Sequence, residues 1–354
     1  MKRVLAINPG ATSTKYAVFE GEKVVLKKTI EHQGSELHHF ECIFDQYHYR
    51  LDFITAGLLE ANISLDSLDG VVGRGGLLKP LMGGTYVVSQ LMVEDLKNAE
   101  QGEHASNLGA VMAYDLAKQL GIPAFIVDPV SVDELEPQAR LSGLPELPRV
   151  SMSHALNSKA VARKVANAMG ENYEDLNFVV AHLGSGISIS AHQKGRMIDV
   201  NNAKEEGPFS PDRCGGLPAT TLTKLCFSGK YTFNELRTKI MGSGGMYAYL
   251  GTKDIREVEK LILSGDRQAQ LVLDAMAYQV AKEIGAMSVV LSGDVDRIIL
   301  TGGIAYSQGI IGEIVGRVKF IAPIVVLPGE EELESLAQGA IRVLQGEEQV
   351  CTYQ

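Results

Sequence analysis

The chain has 354 residues, 45% of them apolar and 21% charged, with 43 Asp and Glu against 33 Lys and Arg for a formal net charge of −10. That length predicts two or three domains with room for large cores, and the acidic balance, with no basic stripe, excludes nucleic-acid binding as the main role. After Lys2-Arg3 the apolar run 4–7 is too short for a signal peptide, and no window reaches the roughly 18 apolar residues of a membrane span, so a cytoplasmic protein is expected.

Taken in chain order, residues 4–19 carry the first signal. An apolar strand runs into Asn8-Pro9-Gly10, a small polar turn follows through Ala11-Thr12-Ser13-Thr14, and after Lys15 a second strand leaves through Tyr16-Ala17-Val18-Phe19. A strand–turn–strand that reverses over Gly, Thr and Ser presents backbone N–H groups and hydroxyls on one side, a concave donor site for phosphate, and Lys15 adds charge beside it. The layout is not a Walker loop, which opens a helix. Alone, the stretch reads equally well as an ordinary hairpin. The next strand signal, Val71-Val72, ends in Gly73-Arg74-Gly75-Gly76. Helical spacing follows at 90–99 and 106–120, and a short buried strand at Ala124-Phe125-Ile126-Val127 ends in Asp128-Pro129. Segment 136–149, with three prolines, reads as the connection between halves.

The second half repeats the first. A helix is predicted over 153–169, capped by Ser153 and ended by Gly170. Then Phe178-Val179-Val180-Ala181 meets His182-Leu183-Gly184-Ser185-Gly186, and two further strands follow around the turn Gln193-Lys194-Gly195. Helices are predicted over 254–264 and 267–290, where Val272, Met276, Val280, Ile284 and Met287 form one core stripe. Strand 297–301 ends in Gly302-Gly303, matching the Gly-rich end near Arg74, and a last helix over 333–344 is expected to fold back on the first half. Matching strand–glycine-turn units in matching order predict an internal duplication of α/β layers. Cys42, Cys214, Cys226 and Cys351 show no metal or C-x-x-C spacing and read as reduced thiols.

Five segments in register, Asn8 to Lys15, Arg74-Gly75-Gly76, His182 to Gly186, Gly207-Pro208-Phe209-Ser210-Pro211-Asp212-Arg213 and Leu300-Thr301-Gly302-Gly303-Ile304, resemble the acetokinase family, and within it the branch acting on butyrate. The resemblance covers essentially the whole chain. It implies the fold shared by actin, sugar kinases and heat-shock-chaperone ATPases: two similar ribonuclease H-like α/β domains with a nucleotide in the cleft between them. The implied division is 1–149 plus 330–354 and 150–329. The implied reaction is reversible in-line transfer of the γ-phosphoryl of ATP to a short-chain carboxylate, butyrate first, with acetate, propionate or isobutyrate as alternatives. ATP/ADP and Mg²⁺ are the implied cofactors, and a homo-oligomer, a dimer or larger, the implied assembly. A non-metabolic ATPase of the same fold is the alternative from another class.

The chemistry constrains the residues. A carboxylate arrives ionised near neutral pH and needs no general base. What opposes reaction is repulsion between two anions, so the site must supply cations and aligned donors. The resemblance places Arg213 on the transferring phosphoryl, Arg74 on the substrate carboxylate and His182 on the β- or γ-phosphate. Asp128, at a strand end, is assigned to Mg²⁺ through water. Glu331 is first choice for the second metal carboxylate, with Glu330 and Glu332 as alternatives. Asn8, Gly10, Thr12, Ser13 and Lys15 would hold phosphate or metal from the first domain, and Gly184, Ser185 and Gly186 phosphate from the second. Gly302, Gly303, Ile304, Asp254 and Arg256 fall on the adenosine side, the last two expected to touch different parts of it because i and i+2 do not share a helix face. The roles of His154 and His104 stay open.

Overall fold

A computed structural model describes residues 1–354. The chain forms two compact units, Met1–Asp133 with Glu331–Gln354, and Glu134–Glu330. The first boundary therefore precedes the expected one at 149/150, because segment 134–149 is stitched to the second unit. Glu134 is buried with Lys159, whose Nζ lies 3.1 Å from its Oε1, and its Oε2 accepts the Met197 N–H at 2.6 Å. Glu136 N–H donates to the Ile198 carbonyl, and Arg149 pairs with Asp199 at 3.0 Å.

The first unit is built on a seven-stranded sheet. Its strands are β1 (Arg3–Pro9), β2 (Ser13–Glu20), β3 (Lys23–Glu31), β4 (Gly70–Gly73), β5 (Thr85–Val87) and β6 (Ala124–Val127), plus the C-terminal strand Cys351–Thr352 on the β5 edge. β1, β2 and β3 form an antiparallel meander, and β4 and β6 add to β1 in parallel. The second unit has five strands, β7 (Asn177–Leu183), β8 (Ile187–Gln193), β9 (Arg196–Val200), β10 (Arg297–Gly302) and β11 (Ile324–Pro328). Its order, β11-β10-β7-β8-β9, repeats β6-β4-β1-β2-β3 of the first, strand for strand and direction for direction. Both second strands carry a register shift, at Val18/Phe19 and at Ala191/His192. The duplication read from the glycine turns is thus present in the topology.

Helices cover both faces of each sheet, the arrangement that buries parallel strands on both sides. Helix Asn107–Leu120 packs on β4 and β6, and helix Arg267–Val290 on β7 and β8. The opposite faces are closed by exchange along the chain. Helix Ala155–Met169 follows the last parallel strand of the first unit but packs on β7 and β10; helix Glu332–Gln345 follows β11 but packs on β1, β4 and β6. The predicted fold-back of the C-terminal helix is therefore observed. Gly170 ends its helix at φ +78°, as expected. Ser153 does not cap: His154 is the residue before the first turn, and Ser153 Oγ is turned inward, 3.7 Å from Met197 Sδ. No helix is long and apolar enough to cross a membrane.

Candidate active site

In the first unit, β1, β4 and β6 run parallel, so their carboxyl ends lie side by side, with Ile7 opposite Gly73 and Gly73 opposite Ile126. The next residues along the three strands are Asn8, Arg74 and, one step further, Asp128. This is the edge where open α/β sheets hold ligands. Helix Asn107–Leu120 starts against it so closely that a Cβ on Gly73 would fall 2.0 Å from the Gly109 carbonyl oxygen. Helix Glu332–Gln345 brings Glu332 to the same place. Its carboxylate accepts from Asn8 Nδ2 through one oxygen and from the Arg74 guanidinium through the other. Arg74 is thus already engaged with a carboxylate, and Asn8 and Arg74 are joined through it. Asp128 is buried at φ +37°, a conformation a residue with a side chain rarely adopts. Its Oδ1 accepts the Gly84 N–H at 2.7 Å, which holds the carboxylate at the strand end.

The three consecutive glutamates separate. Glu330 reaches His182, Glu331 precedes the first turn of the C-terminal helix with an exposed side chain, and Glu332 reaches Arg74 and Asn8. The glutamate carried to the strand edge of the first unit is therefore Glu332, one residue beyond first choice Glu331. The donors there, carboxylates of Glu332 and Asp128 and the amide of Asn8, offer oxygen only, which suits Mg²⁺ better than a softer metal.

The turn between β1 and β2 is closed by the Gly10 N–H donating to the Ser13 carbonyl at 2.7 Å. Ala11, Thr12 and Lys15 are exposed along it. In the second unit the equivalent turn is closed by Gly184 N–H to the Gly186 carbonyl at 3.2 Å. Ser210 donates its hydroxyl hydrogen to the Ser185 carbonyl, which ties loop 207–213 to that turn, and the Arg213 N–H donates to Ser210 Oγ at 3.2 Å. Arg213 Nη1 also donates to the Ala203 carbonyl at 3.0 Å. His182 is buried at the end of β7. Its Nδ1 meets Asn157 Oδ1 at 2.8 Å, its ring stacks on His154 with centroids 3.9 Å apart, and Nε2 lies 3.0 Å from Glu330 Oε1, too obliquely for a hydrogen bond. With the Asn157 oxygen accepting, Nδ1 carries the hydrogen and Nε2 faces the glutamate. His154 is held by Ser188, 3.0 Å from its Nδ1. His104 is exposed and bonded to Ser106 at the start of helix Asn107–Leu120.

A cavity of about 920 Å³ opens in the second unit beside the Gly184 turn. Gly184, Ser185, Asp254, Arg256, Gly303 and Ile304 all line it, so six residues expected around a nucleotide share one cavity. Gly302, at φ +89°, turns the chain into it; a Cβ there would lie 2.3 Å from the Leu183 carbonyl oxygen. Asp254 and Arg256 do not act apart. Asp254 precedes helix Ile255–Leu263 and caps it, accepting the Arg256 N–H at 2.9 Å, and its carboxylate is doubly bonded to the Arg256 guanidinium. The helix-face argument fails because the cap residue lies outside the helix. The Arg256 side-chain hydrogen bonds, then its backbone N–H, hold the Asp254 carboxyl down at about 2. Lys253, Asp212, Glu259 and Tyr306 also line the cavity. The sequence signal for the first was present, since Lys253 adjoins Asp254, but a lone Tyr306 after a glycine turn carries none.

A model of the acetokinase family matches residues 150–323. Butyrate kinase 1 of Clostridium acetobutylicum is 52% identical over 354 residues, all of both chains. The chain belongs to the acetokinase family. Butyrate kinase 2 of the same organism is also 52% identical, over 352 residues and 99% of each chain. Among solved structures, an acetate kinase of Porphyromonas gingivalis superposes with a TM-score of 0.80 at 19% identity, covering 97% of this chain and 100% of its own. A propionate kinase of Francisella tularensis gives 0.75 at 17%, covering 96% and 99%. These two establish the fold of this acetokinase chain as the duplicated actin-like ATPase fold.

Proposed function

We propose that this acetokinase-family chain transfers the γ-phosphoryl of ATP to a short-chain carboxylate, butyrate best, giving an acyl phosphate and ADP. The observation that carries the reading is the Arg74–Glu332 pair: a guanidinium at the carboxyl edge of a parallel sheet, already holding a carboxylate. Arg74 binds the acid by the same charge-assisted hydrogen bonding. The nucleotide lies in the cavity of the second unit, its phosphates on the Gly184–Gly186 turn and its adenosine against Gly303, Ile304 and the Asp254–Arg256 pair. Asn8, Thr12, Ser13 and Lys15 are assigned to phosphate or metal as well.

The ionised acid attacks phosphorus directly, and one oxygen–phosphorus bond forms as the bond to the ADP oxygen breaks. Arg213 neutralises charge on the transferring oxygens, His182 is assigned to the β- or γ-phosphate at the strand end, and Arg74 holds the nucleophile in line. Asp128 and Glu332 would hold Mg²⁺, which would supply charge neutralisation on the phosphates. The similarity to two butyrate kinases over the full chain supports butyrate over shorter acids.

The test is ATP-dependent acyl hydroxamate formation across linear acids of two to five carbons and isobutyrate. Butyrate should give the highest kcat/KM, with neighbours within about 10- to 200-fold, since one methylene in an apolar pocket is worth only about 1–3 kcal/mol. Absence of acyl phosphate with every acid would overturn the reading; a maximum at acetate or isobutyrate would move only the substrate.

A further inference from the structure

Arg50 is fully buried in helix Tyr47–Glu60, and no motif marks it. It lies beneath the turn between β1 and β2. Nη1 donates to the Ser13 carbonyl and to Thr14 Oγ1, both at 2.9 Å; Nη2 donates to the Ala11 carbonyl at 3.2 Å. Gln46 Oε1 takes the rest, from Nη2 at 2.8 Å and Nε at 3.1 Å. No carboxylate pairs with it. Thr14 Oγ1, accepting from Arg50, stands 2.8 Å from His32 Nε2, and His32 Nδ1 stands 3.2 Å from Tyr49 Oη, whose hydrogen goes to Glu36. Three side chains, Thr14, His32 and Tyr49, separate the acid in this network from the guanidinium. Burial, and then Arg50, depress the His32 pKa, so the ring is neutral and offers no compensation.

Two consequences follow. A trans peptide points its carbonyl and the next N–H in opposite directions. With the Ala11 carbonyl drawn in to Arg50, the Thr12 N–H is turned away from it, toward the exposed side of the turn. The N–H groups of Ala11 and Thr12 donate to no acceptor in the protein. In addition, a buried guanidinium without a counter-ion is unfavourable unless an anion completes it. An anion on the outer side of the turn would do so.

We propose that Arg50 is a positioning residue for the nucleotide phosphates: it fixes the first turn with its N–H groups outward and lends it a positive charge that the bound phosphates complete. The inference rests on the reading that this turn holds phosphate. Replacing Arg50 itself removes packing as well as charge, so the decisive variant is Gln46→Glu, which keeps every hydrogen bond to Arg50 and supplies the missing counter-ion from within.

The experiment is calorimetric titration of the full chain with MgATP and, separately, with adenosine, alongside thermal melts. For Gln46→Glu the expected result is a melting temperature at or above the parent's, ATP affinity weaker on the order of tenfold, and unchanged adenosine affinity. Arg50→Met, where it folds, should weaken ATP at least as much and again spare adenosine. A folded Gln46→Glu protein with parental ATP affinity would overturn the proposal. So would equal loss of ATP and adenosine, which marks general damage, or failure of the variant to fold, since the added carboxylate should then have been welcome. A parent chain that binds adenosine but gains nothing from the triphosphate would instead overturn the phosphate reading of the turn.

Discussion

Arg213 lays its guanidinium on the backbone of Gly186, so close that a Cβ there would fall 2.4 Å from Nη1 and 2.9 Å from Cζ. The glycine of the second turn therefore does more than turn the chain: it leaves the space in which the arginine lies. Gly186→Ala should act as a partial deletion of Arg213. Steady-state kinetics should show kcat lowered on the order of 10²–10³ for Arg213→Ala, as for loss of a transition-state donor, and about tenfold for Gly186→Ala. The double variant should resemble Arg213→Ala alone, because both changes remove one interaction. Full additivity of the two losses would show that Gly186 acts by another route.

The Arg74–Glu332 pair predicts a division of labour. Arg74→Ala should raise the butyrate KM about 10- to 100-fold and leave the ATP KM within about twofold, since the lost partner belongs to the acid. Glu332→Gln should leave the butyrate KM unchanged or lower, because the residue that occupies Arg74 loses its charge. The Mg²⁺ concentration for half-maximal rate should rise about tenfold if Glu332 helps hold the metal. Metal titration separates the two. An unchanged Mg²⁺ requirement in Glu332→Gln, with a raised requirement in Glu331→Gln, would return the metal to the neighbouring glutamate.

Much of this was legible before the structure. Gly184-Ser185-Gly186 and Gly302-Gly303 repeat the chemistry of residues 8–15 and 73–76, and repeated turn chemistry in the same order reports repeated topology. What escaped was tertiary. Helix Tyr47–Glu60 buries Arg50 and Gly57 among its inward residues, so its apolar stripe is interrupted at two buried positions. A Cβ at Gly57 would fall 1.9 Å from Tyr16 Oη, a constraint no periodicity expresses. Helices Ala219–Cys226 and Phe233–Ile240 bury no residue at all, so no core pattern marks them. Which of Glu330, Glu331 and Glu332 meets Arg74 depends on the phase of the last helix, which three identical letters cannot disclose.

The Asp254–Arg256 pair sets a pH expectation for the nucleotide cavity. The Asp254 carboxyl is held at about 2, so its interaction is fully present above the ordinary carboxylate range and is lost only as pH falls toward 2. The ATP KM should therefore show no inflection from this pair between about pH 5 and 9, where Asp254 stays ionised. Asp254→Asn keeps a helix cap but loses the ion pair, and should raise the ATP KM severalfold without changing the melting temperature appreciably. A parental ATP KM in that variant would show that the pair caps the helix and does nothing for the nucleotide.

A second titrating group bears on stability alone. Glu283, in helix Arg267–Val290, has its carboxyl pushed up chiefly by burial; Arg149 opposes the shift, and Asp199 and Glu206 add to it. The Asp199 carboxyl is likewise raised by burial, against the pull of Arg149. One arginine thus faces three carboxylates, and it is already bonded to Asp199 and Glu206. In the window just above the ordinary carboxylate range the folded chain holds more protons than the unfolded one, so stability falls as pH rises through it. Glu283→Gln removes that loss. Its melting temperature should exceed the parent's near pH 7, and the advantage should shrink toward pH 4, where the parent's Glu283 is protonated in the fold. A variant less stable than the parent at pH 7 would mean that Glu283 is a needed partner of Arg149 rather than a surplus charge beside it.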